Sequence, residues 1–230
     1  MTAQAQVVPP EPALALEVIG ARFAPAAATP NLVFTLEVND RADREIYAIA
    51  LSCQVNIEPE GRRYDSEARL RLAQVLGEPR SNARRRIMWM ERDTLVSSFR
   101  GATAFDLPVP VTYDMEIAAT RYFYSLSEGE VPLRFYFRGT VFYQAGEGAL
   151  QMTPVPWETE ATYRFPLALW KTMMARYYPN STWIRLRPET LTGLLNHQSA
   201  RGLASIDEAV VDLLRRTGSG AAAPKVVGGA

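Results

Sequence analysis

The chain has 230 residues, of which 47% are hydrophobic, and its 25 Lys and Arg residues balance its 25 Asp and Glu residues. This composition argues against a disordered chain, and the zero net charge removes any general electrostatic attraction to nucleic acid. One cysteine excludes an intramolecular disulfide, no apolar run approaches the roughly 20 residues of a membrane-spanning helix, and the N-terminus has no secretion leader. The sequence therefore predicts a cytoplasmic protein with no membrane span and no nucleic-acid partner.

Residues 13–165 are predicted to form an antiparallel β domain. Apolar and polar residues alternate most clearly over residues 47–57, and shorter alternating runs cover residues 14–23, 32–38, 103–107, 111–117 and 155–165. In the last run, Trp157 and Tyr163 would share one face of a strand. One helix is expected to interrupt the strands, with Ser66 as its N-cap and Gly77 just past its end.

The densest strand signal is the stretch EGEVPLRFYFRGTVFY at residues 128–143, which holds two arginines and five aromatic residues. Its period of two predicts a core face and an opposite face that carries Arg134, Tyr136 and Arg138. We expect a bend or bulge at Gly139, because a strand of this length rarely runs unbroken. The opposite face is open to two interpretations, a solvated sheet surface or a protein-contact patch, since Tyr and Arg dominate protein interfaces.

After residue 165 the apolar period becomes helical. Three helices are predicted, beginning at Pro166, at Pro188 and after the capping-box sequence at residues 205–208, and ending near Pro179, Gly202 and Gly218. They form a C-terminal helical segment, 166–217, packed on the β domain, while residues 1–12 and 218–230 are predicted to be disordered tails. The predicted fold class is α+β, an antiparallel β-sandwich-like domain with a C-terminal three-helix appendage.

Few residues indicate catalysis or metal binding. His197 is the only histidine, and Cys53 lies on the apolar face of the clearest strand, which favours a buried, inert thiol. With one His and one Cys, no zinc or iron–sulfur site built from several such ligands is possible in one chain, and we predict neither a metal nor a cofactor. The carboxylate pairs Asp114/Glu116 and Glu158/Glu160 leave a hydrolase open as a minor alternative.

Four arginines cluster in a predicted loop, at positions 80, 84, 85 and 86. Arg80, Arg84, Arg85 and Arg86 could contact an anion, but no aromatic residues are interleaved with them. A solvated or protein-contacting loop is therefore the favoured interpretation of the cluster.

Three segments, residues 49–59, 105–143 and 155–194, carry a resemblance to a known group of proteins; they include IALSCQVNIEP and FPLALWKTMMARYYPNSTWIRLRPETL. Together they resemble an uncharacterised bacterial family whose genes lie beside those of uptake [NiFe]-hydrogenases and their maturation factors. The resemblance implies an accessory role in assembling, stabilising or escorting a hydrogenase, and it implies no catalytic residues. A hydrogenase subunit or maturation factor is then the expected protein partner.

With that resemblance, we expect a non-enzymatic accessory protein. It would bind its partner through Arg134, Tyr136 and Arg138, or through the C-terminal helices with Trp170 and Trp183. An alternative of another class is a carbohydrate- or small-ligand-binding β-sandwich. The oligomeric state is left open.

Overall fold

A computed structural model describes residues 13–76, 86–111, 118–144, 148–179, 181 and 184–218. In chain order, the elements are β1 (Leu14–Phe23), β2 (Asn31–Asp40), β3 (Glu45–Ile57), a 3-10 turn (Pro59–Gly61), α1 (Ser66–Leu76), β4 (Ile87–Val96), β5 (Phe99–Arg100), β6 (Ala102–Pro110), α2 (Ala118–Ser125), β7 (Glu130–Gln144), β8 (Leu150–Pro154), β9 (Glu160–Pro166), α3 (Leu167–Tyr177), α4 (Pro188–Arg201) and α5 (Ile206–Arg216). The chain divides into two compact units, Met1–Trp183 and Ile184–Ala230.

The first unit contains two antiparallel sheets. One has three strands in the order β1-β2-β6, and the other has six, in the order β4-β3-β7-β8 with β5 on β3 and β9 on β7. The sheets face each other around Phe34 of β2, whose ring lies 5.2 Å from that of Phe135 on β7 and 5.8 Å from that of Phe165 on β9. The predicted α+β, sandwich-like class is confirmed.

Strand β7 organises the larger sheet. It pairs with β3 along one edge, and along the other it pairs first with β9 through Tyr136 and then with β8 from Thr140. Its predicted core face is buried: Val131, Leu133, Phe135, Phe137, Val141 and Tyr143 are each less than 5% exposed. Burial of a large apolar side chain stabilises the fold by roughly 1.5–3 kcal/mol, so this face is a main contributor to the core.

Gly139 lets β7 lie close to β3. Its φ is +151°, and a Cβ built there would lie 2.0 Å from the carbonyl oxygen of Ala50. The pairing of β7 with β3 continues unbroken through Gly139, and its register shift lies between Ile46 and Ala48 of β3. The pairing with β3 therefore has no bulge at Gly139, and its irregularity lies further along, opposite Phe142 and Tyr143.

The turn after β2 depends on one buried carboxylate. Asp40 is 1% exposed, and its oxygens accept hydrogen bonds from the backbone N–H groups of Ala13, Ala42 and Arg44 at 2.9, 3.2 and 2.9 Å. This explains physically why an Asn-Asp pair ends the strand, since the side chain replaces backbone partners that the turn removes.

Helices α2 and α3 complete the core of the first unit. The ring of Phe123 on α2 stacks on that of Trp170 on α3, with centroids 5.5 Å apart, and lies 4.9 Å from that of Trp89 on β4. The predicted segment 166–217 grouped α3 with the later helices, whereas α3 belongs to the first compact unit. How that segment as a whole packs stays a prediction.

The second unit contains α4 and α5. As predicted, α4 begins at Pro188 and ends before Gly202, which adopts the left-handed conformation with φ +62°. Ser205 caps α5 by accepting a hydrogen bond from the backbone N–H of Glu208 at 3.1 Å, and the Glu208 carboxylate accepts one from the N–H of Ala204 at 2.8 Å. These reciprocal hydrogen bonds form a variant of the capping box. The Glu208 carboxylate binds the N–H of Ala204, the residue before the N-cap, instead of the N–H of the N-cap itself.

Candidate protein-contact site

The outer face of β7 carries the predicted residues Arg134, Tyr136 and Arg138, here called the outer strip. All three point away from the core, because they alternate with the buried residues of the same strand. The strip is surrounded by acidic and polar side chains of β3, β4 and β9. Its chemistry therefore depends on how far those neighbours already engage it.

Arg134 is fully engaged within the protein. Its Nε and Nη2 donate to Glu58 Oε1 and Oε2 at 2.7 and 3.2 Å, and its Nη1 donates to Glu160 Oε1 at 2.5 Å. The hydrogen bond to Glu58 raises the pKa of Arg134 above its ordinary value. A guanidinium held by two carboxylates ties the segment after β3 to β7 and β9, and has little capacity left for an external anion.

Arg138 is placed differently on the same face. Its side chain is 69% exposed, against 26% for Arg134, and it forms an ion pair with Glu91 of β4. Glu91 also accepts a hydrogen bond from the Ser52 hydroxyl at 3.3 Å. An exposed ion pair of this kind contributes only about 0–1 kcal/mol, so a partner can compete for Arg138 at small cost.

Tyr136 lies between these arginines and is half-buried. The guanidinium carbon of Arg86 lies 5.7 Å from the centre of its ring, and Arg86 Nε also lies 3.4 Å from Glu58 Oε1. Within the described part of the chain, the Tyr136 hydroxyl has no hydrogen-bond partner although the atom is buried. Tyr136 therefore has only part of its side chain available to a partner.

A tryptophan lies beside the strip, at the edge of β7. Residues 156–159 form a turn closed by the hydrogen bond from Thr159 N–H to the Pro156 carbonyl at 3.0 Å. The flanking backbone is fixed to β7 on both sides of Arg138: Val155 N–H donates to the Gly139 carbonyl at 3.0 Å, and Phe137 N–H donates to the Thr159 carbonyl at 3.1 Å. The turn carries Trp157, whose side chain is 88% exposed.

This Trp157 turn, residues 156–159, corrects the predicted strand 155–165. Strand β9 begins only at Glu160, so Trp157 and Tyr163 do not share a strand face. Pro156 lacks the N–H that a continuing ladder would use, and the chain turns there instead. A fully hydrated tryptophan on a backbone fixed at both ends is a preorganised contact, because little conformational entropy is lost when a partner covers it.

Apolar side chains extend the outer face from the strip toward the far end of β7. Phe142 pairs across the sheet with Met152 of β8 and with Ala48 of β3, while Ala50 pairs with Leu95 of β4. Met152 and Leu95 are exposed. Apolar residues flanked by arginine and tryptophan have the composition that is enriched at the centre of protein interfaces.

Two predicted contact residues do not contribute to this surface. Trp170 is 2% exposed and lies in the aromatic core against Phe123, so it lacks the exposed surface that a partner contact requires. The apolar spacing that marked its helix is the reason, since Trp170 occupies the buried stripe of α3. Trp183 lies outside the described residues.

The remaining candidate residues that the structure describes are buried or contact other residues of the chain. Of the arginine cluster, Arg86 contacts Glu58 and Tyr136, whereas Arg80, Arg84 and Arg85 lie outside the described residues and anion contact there stays a prediction. Cys53 is fully buried, and burial raises the pKa of its thiol to about 12, so the thiolate nucleophile is not available. His197 contacts Asp212 at 2.9 Å.

Of the two carboxylate pairs, the structure describes only Glu158/Glu160, and a hydrolytic role of Asp114/Glu116 stays a prediction. Glu160 is held by Arg134, Glu158 belongs to the Trp157 turn, and Asp114 and Glu116 lie outside the described residues. In the part of the chain that the structure describes, no group of three or more His, Cys, Asp or Glu residues could hold a metal ion.

No helix among the described residues has both the length and the apolar character needed to cross a bilayer.

Sequence reasoning located the outer strip but missed Trp157 as its exposed neighbour. The available signal for its exposure was the pair Pro154 and Pro156. These two prolines interrupt the hydrogen-bond ladder of a strand before Trp157. The two-residue period of a strand does not extend past such an interruption. The period therefore does not predict whether an apolar residue that follows it is buried or exposed.

The fold and this surface define a two-sheet α+β protein with a candidate contact surface and, among the described residues, no recognisable catalytic centre. Residues 11–222 match the model of a family of unknown function, DUF6084, and the chain belongs to this family. The prediction of an uncharacterised family is confirmed, while its link to hydrogenase genes stays a prediction.

No curated protein matches the sequence. Among solved structures, the chain is similar to a putative ApaA protein from Bordetella pertussis, with 12% identity, a TM-score of 0.29 and coverage of 67% of this chain and 95% of that one. A putative late embryogenesis abundant protein matches with 12% identity, a TM-score of 0.31 and coverage of 67% and 72%. A β-glucosidase from Kluyveromyces marxianus matches with 7% identity, a TM-score of 0.23 and coverage of 67% and 15%. At these TM-scores the likenesses carry no functional argument.

Proposed function

We propose that this chain is a non-enzymatic accessory protein that binds a protein partner through the Trp157 turn and the adjacent Arg138. The observation that carries the proposal is the 88% exposure of Trp157 on a turn that is hydrogen-bonded to β7 at both ends. Tryptophan and arginine are the residues most enriched among those that dominate binding energy. Exposed Met152 and Leu95 provide apolar surface on the same sheet.

Arg134 and Arg138 have different roles on this surface. Arg134 is saturated by Glu58 and Glu160 and keeps the backbone of the outer strip rigid. Arg138 is bound only to Glu91 among its described neighbours, is largely exposed, and can exchange that contact for an acidic or carbonyl group of the partner. A partner with a pocket for an indole ring and an acceptor beside it fits this arrangement.

The identity of the partner rests on the sequence resemblance. Residues 49–59, 105–143 and 155–194 resemble a family whose genes lie beside uptake [NiFe]-hydrogenase genes, which suggests a hydrogenase subunit or maturation factor. A protein with a single cysteine and a single histidine is suited to protein binding in such a system, not to cluster or metal transfer. A cytoplasmic location belongs to the same proposal.

The test is affinity capture of the tagged full chain from its native host, followed by mass spectrometry and by titration of the recovered partner. Trp157→Ala is expected to weaken partner binding at least about tenfold, since truncation of a hot-spot residue costs 2 kcal/mol or more. Leu70→Ala, which truncates another exposed apolar residue, on α1, is the matched control and is expected to bind as wild type. Equal binding by the Trp157 variant would contradict the contact site, and recovery of partners unrelated to hydrogenase would contradict the system.

A carbohydrate- or small-ligand-binding role is the second candidate, favoured by the same exposed indole ring. Trp157 is 88% exposed on its turn, whereas small-ligand sites are concave and bury most of their ligand. A glycan array and a thermal-shift ligand screen, each with wild type and Trp157→Ala, decide the matter. A ligand that raises the melting temperature of wild type alone would favour this candidate over protein binding.

A further inference from the structure

The helical hairpin of α4 and α5 leaves much of its apolar surface uncovered. Among the described residues of this unit, Ala209 is the only buried apolar side chain, whereas Leu191, Leu195, Ile206 and Leu214 are exposed. A unit of this size cannot bury enough apolar surface by itself to fold stably, and such units usually rely on association. The hairpin therefore needs an apolar surface to contact.

Polar contacts occupy much of the space where the two helices meet. Asp212 of α5 is the centre: its Oδ2 lies 2.9 Å from His197 Nε2, 3.6 Å from Arg201 Nε and 2.9 Å from Arg216 Nε. His197 and Arg201 belong to α4, so this cluster fixes the hairpin by charge and hydrogen bonds. The apolar residues on the other sides of the helices are consequently available for a second contact.

On α5 these residues form one line, here called the α5 stripe: Ile206, Val210 and Leu214. They are spaced four residues apart, which places them on one face of the helix. Ile206 and Leu214 are exposed at the two ends, and Val210 is half-buried between them. The stripe is symmetric about Val210, because each end residue is four positions from it.

The charges of α5 are divided between its two ends. Its first turn carries Asp207 and Glu208, and its last turn carries Arg215 and Arg216. A second α5 lying antiparallel would bring each acidic end near a basic end and would also oppose the two helix dipoles. A parallel copy would place like charges side by side, so the helix is complementary to itself in one orientation only.

We infer that the α5 stripe is a homodimer interface, in which α5 packs antiparallel against α5 of a second copy about a two-fold axis near Val210. Ile206 then contacts Leu214 of the second copy, and the reverse contact follows from the symmetry. This interface shares no residue with the Trp157 turn. The dimer would present two partner-binding surfaces per assembly, which increases avidity for a partner that is itself multimeric.

The first test is the mass of the full chain in solution, measured by size-exclusion chromatography with light scattering. We expect twice the chain mass of 25.6 kDa at micromolar concentration. Leu214→Glu would place two carboxylates in the interface and is expected to weaken self-association roughly 100-fold. Asn196→Glu adds the same charge at an exposed position of α4 and serves as the matched control, with wild-type association expected.

The second test reads the orientation and does not depend on a disruptive variant. Chains with Ile206→Cys and chains with Leu214→Cys, carrying different mass tags, are mixed and mildly oxidised. We expect the mixed disulfide between the two chains to dominate over links between identical chains, while buried Cys53 does not react. Domination by links between identical chains would overturn the antiparallel arrangement.

A monomeric wild-type protein, or unchanged association of Leu214→Glu, would overturn the dimer itself and would point to docking of the stripe elsewhere. Circular dichroism of each variant separates loss of association from loss of helix. Partner binding through Trp157 is scored separately, so that failure of one proposal leaves the other standing.

Discussion

Trp157 and Trp170 lie 13 positions apart and have opposite environments. Trp170 is 2% exposed and stacks on Phe123, whereas Trp157 is 88% exposed on a turn. Trp170 occupies the apolar stripe of a helix, and burial of its ring stabilises the core. Trp157 follows a proline in a turn, where no periodicity directs the side chain inward. An aromatic residue that follows the apolar period of its helix or strand is buried in the core. One that follows an interruption of that period can remain on the surface.

The largest difference between the two tryptophans is expected in stability. Trp170→Ala removes a buried ring from a cluster with Phe123, and such truncations cost roughly 3–5 kcal/mol in free energy of unfolding. Denaturant titration followed by circular dichroism measures the loss. Trp170→Phe, which keeps most of the apolar volume, is expected to recover more than half of it; a loss below about 1 kcal/mol for Trp170→Ala would show that this cluster is not part of the core.

Gly139 contacts both the Trp157 turn and β3. Its carbonyl accepts the hydrogen bond from Val155 N–H just before the turn, and its backbone lies against Ala50 of β3. In Gly139→Ala the new Cβ would meet the Ala50 carbonyl, and the positive φ would add strain, for a combined cost of about 2–4 kcal/mol. Hydrogen exchange should show lost protection at Val155 and along β3. Gly148→Ala is the control: its φ is also positive, at +82°, but a Cβ there would meet the flexible side chain of Gln144 at 3.3 Å. Similar destabilisation by both would mean that close approach to β3 is not the cause.

Much of this architecture follows from local patterns in the sequence. The alternation of residues 47–57, the core face of β7 and the caps of α4 and α5 were all predicted, because each is set by local periodicity or by one capping side chain. Strands β4, β5 and β8 and helix α2 were missed. The exposed Met88, Glu91 and Leu95 of β4 do not give a clean two-residue period, and α2 is short. The contact surface was only half predictable, because the ion pairs of Arg134 join residues up to 76 positions apart.

Arg134 and Arg138 of the outer strip should also contribute unequally to the free energy of unfolding. The difference between them should be smaller than that between the two tryptophans. Arg134→Met breaks hydrogen bonds to Glu58 and Glu160 and leaves Glu58 partly buried, so we expect a loss of about 1–3 kcal/mol in free energy of unfolding. Arg138→Met removes one exposed ion pair and should cost less than about 0.5 kcal/mol. Thermal unfolding at low and at high salt measures both. If the two variants lose equal stability, Arg138 is a structural residue and is not free to change partners.

The smallest expected effect is that of Trp157→Ala on the isolated protein. An indole that is already hydrated adds little to folding, so the free energy of unfolding should change by less than about 0.5 kcal/mol while partner binding falls about tenfold or more. The two readouts together distinguish a contact residue from a structural one. Before any partner is found, the intrinsic fluorescence of Trp157 can be tested: acrylamide should quench a fraction of the wild-type emission that is absent from Trp157→Ala and retained in Trp170→Phe. A Trp157 side chain inaccessible to quencher in the isolated chain would mean that the protein already covers it, through its own residues or a second copy, and the turn would then be an internal contact instead of a partner site.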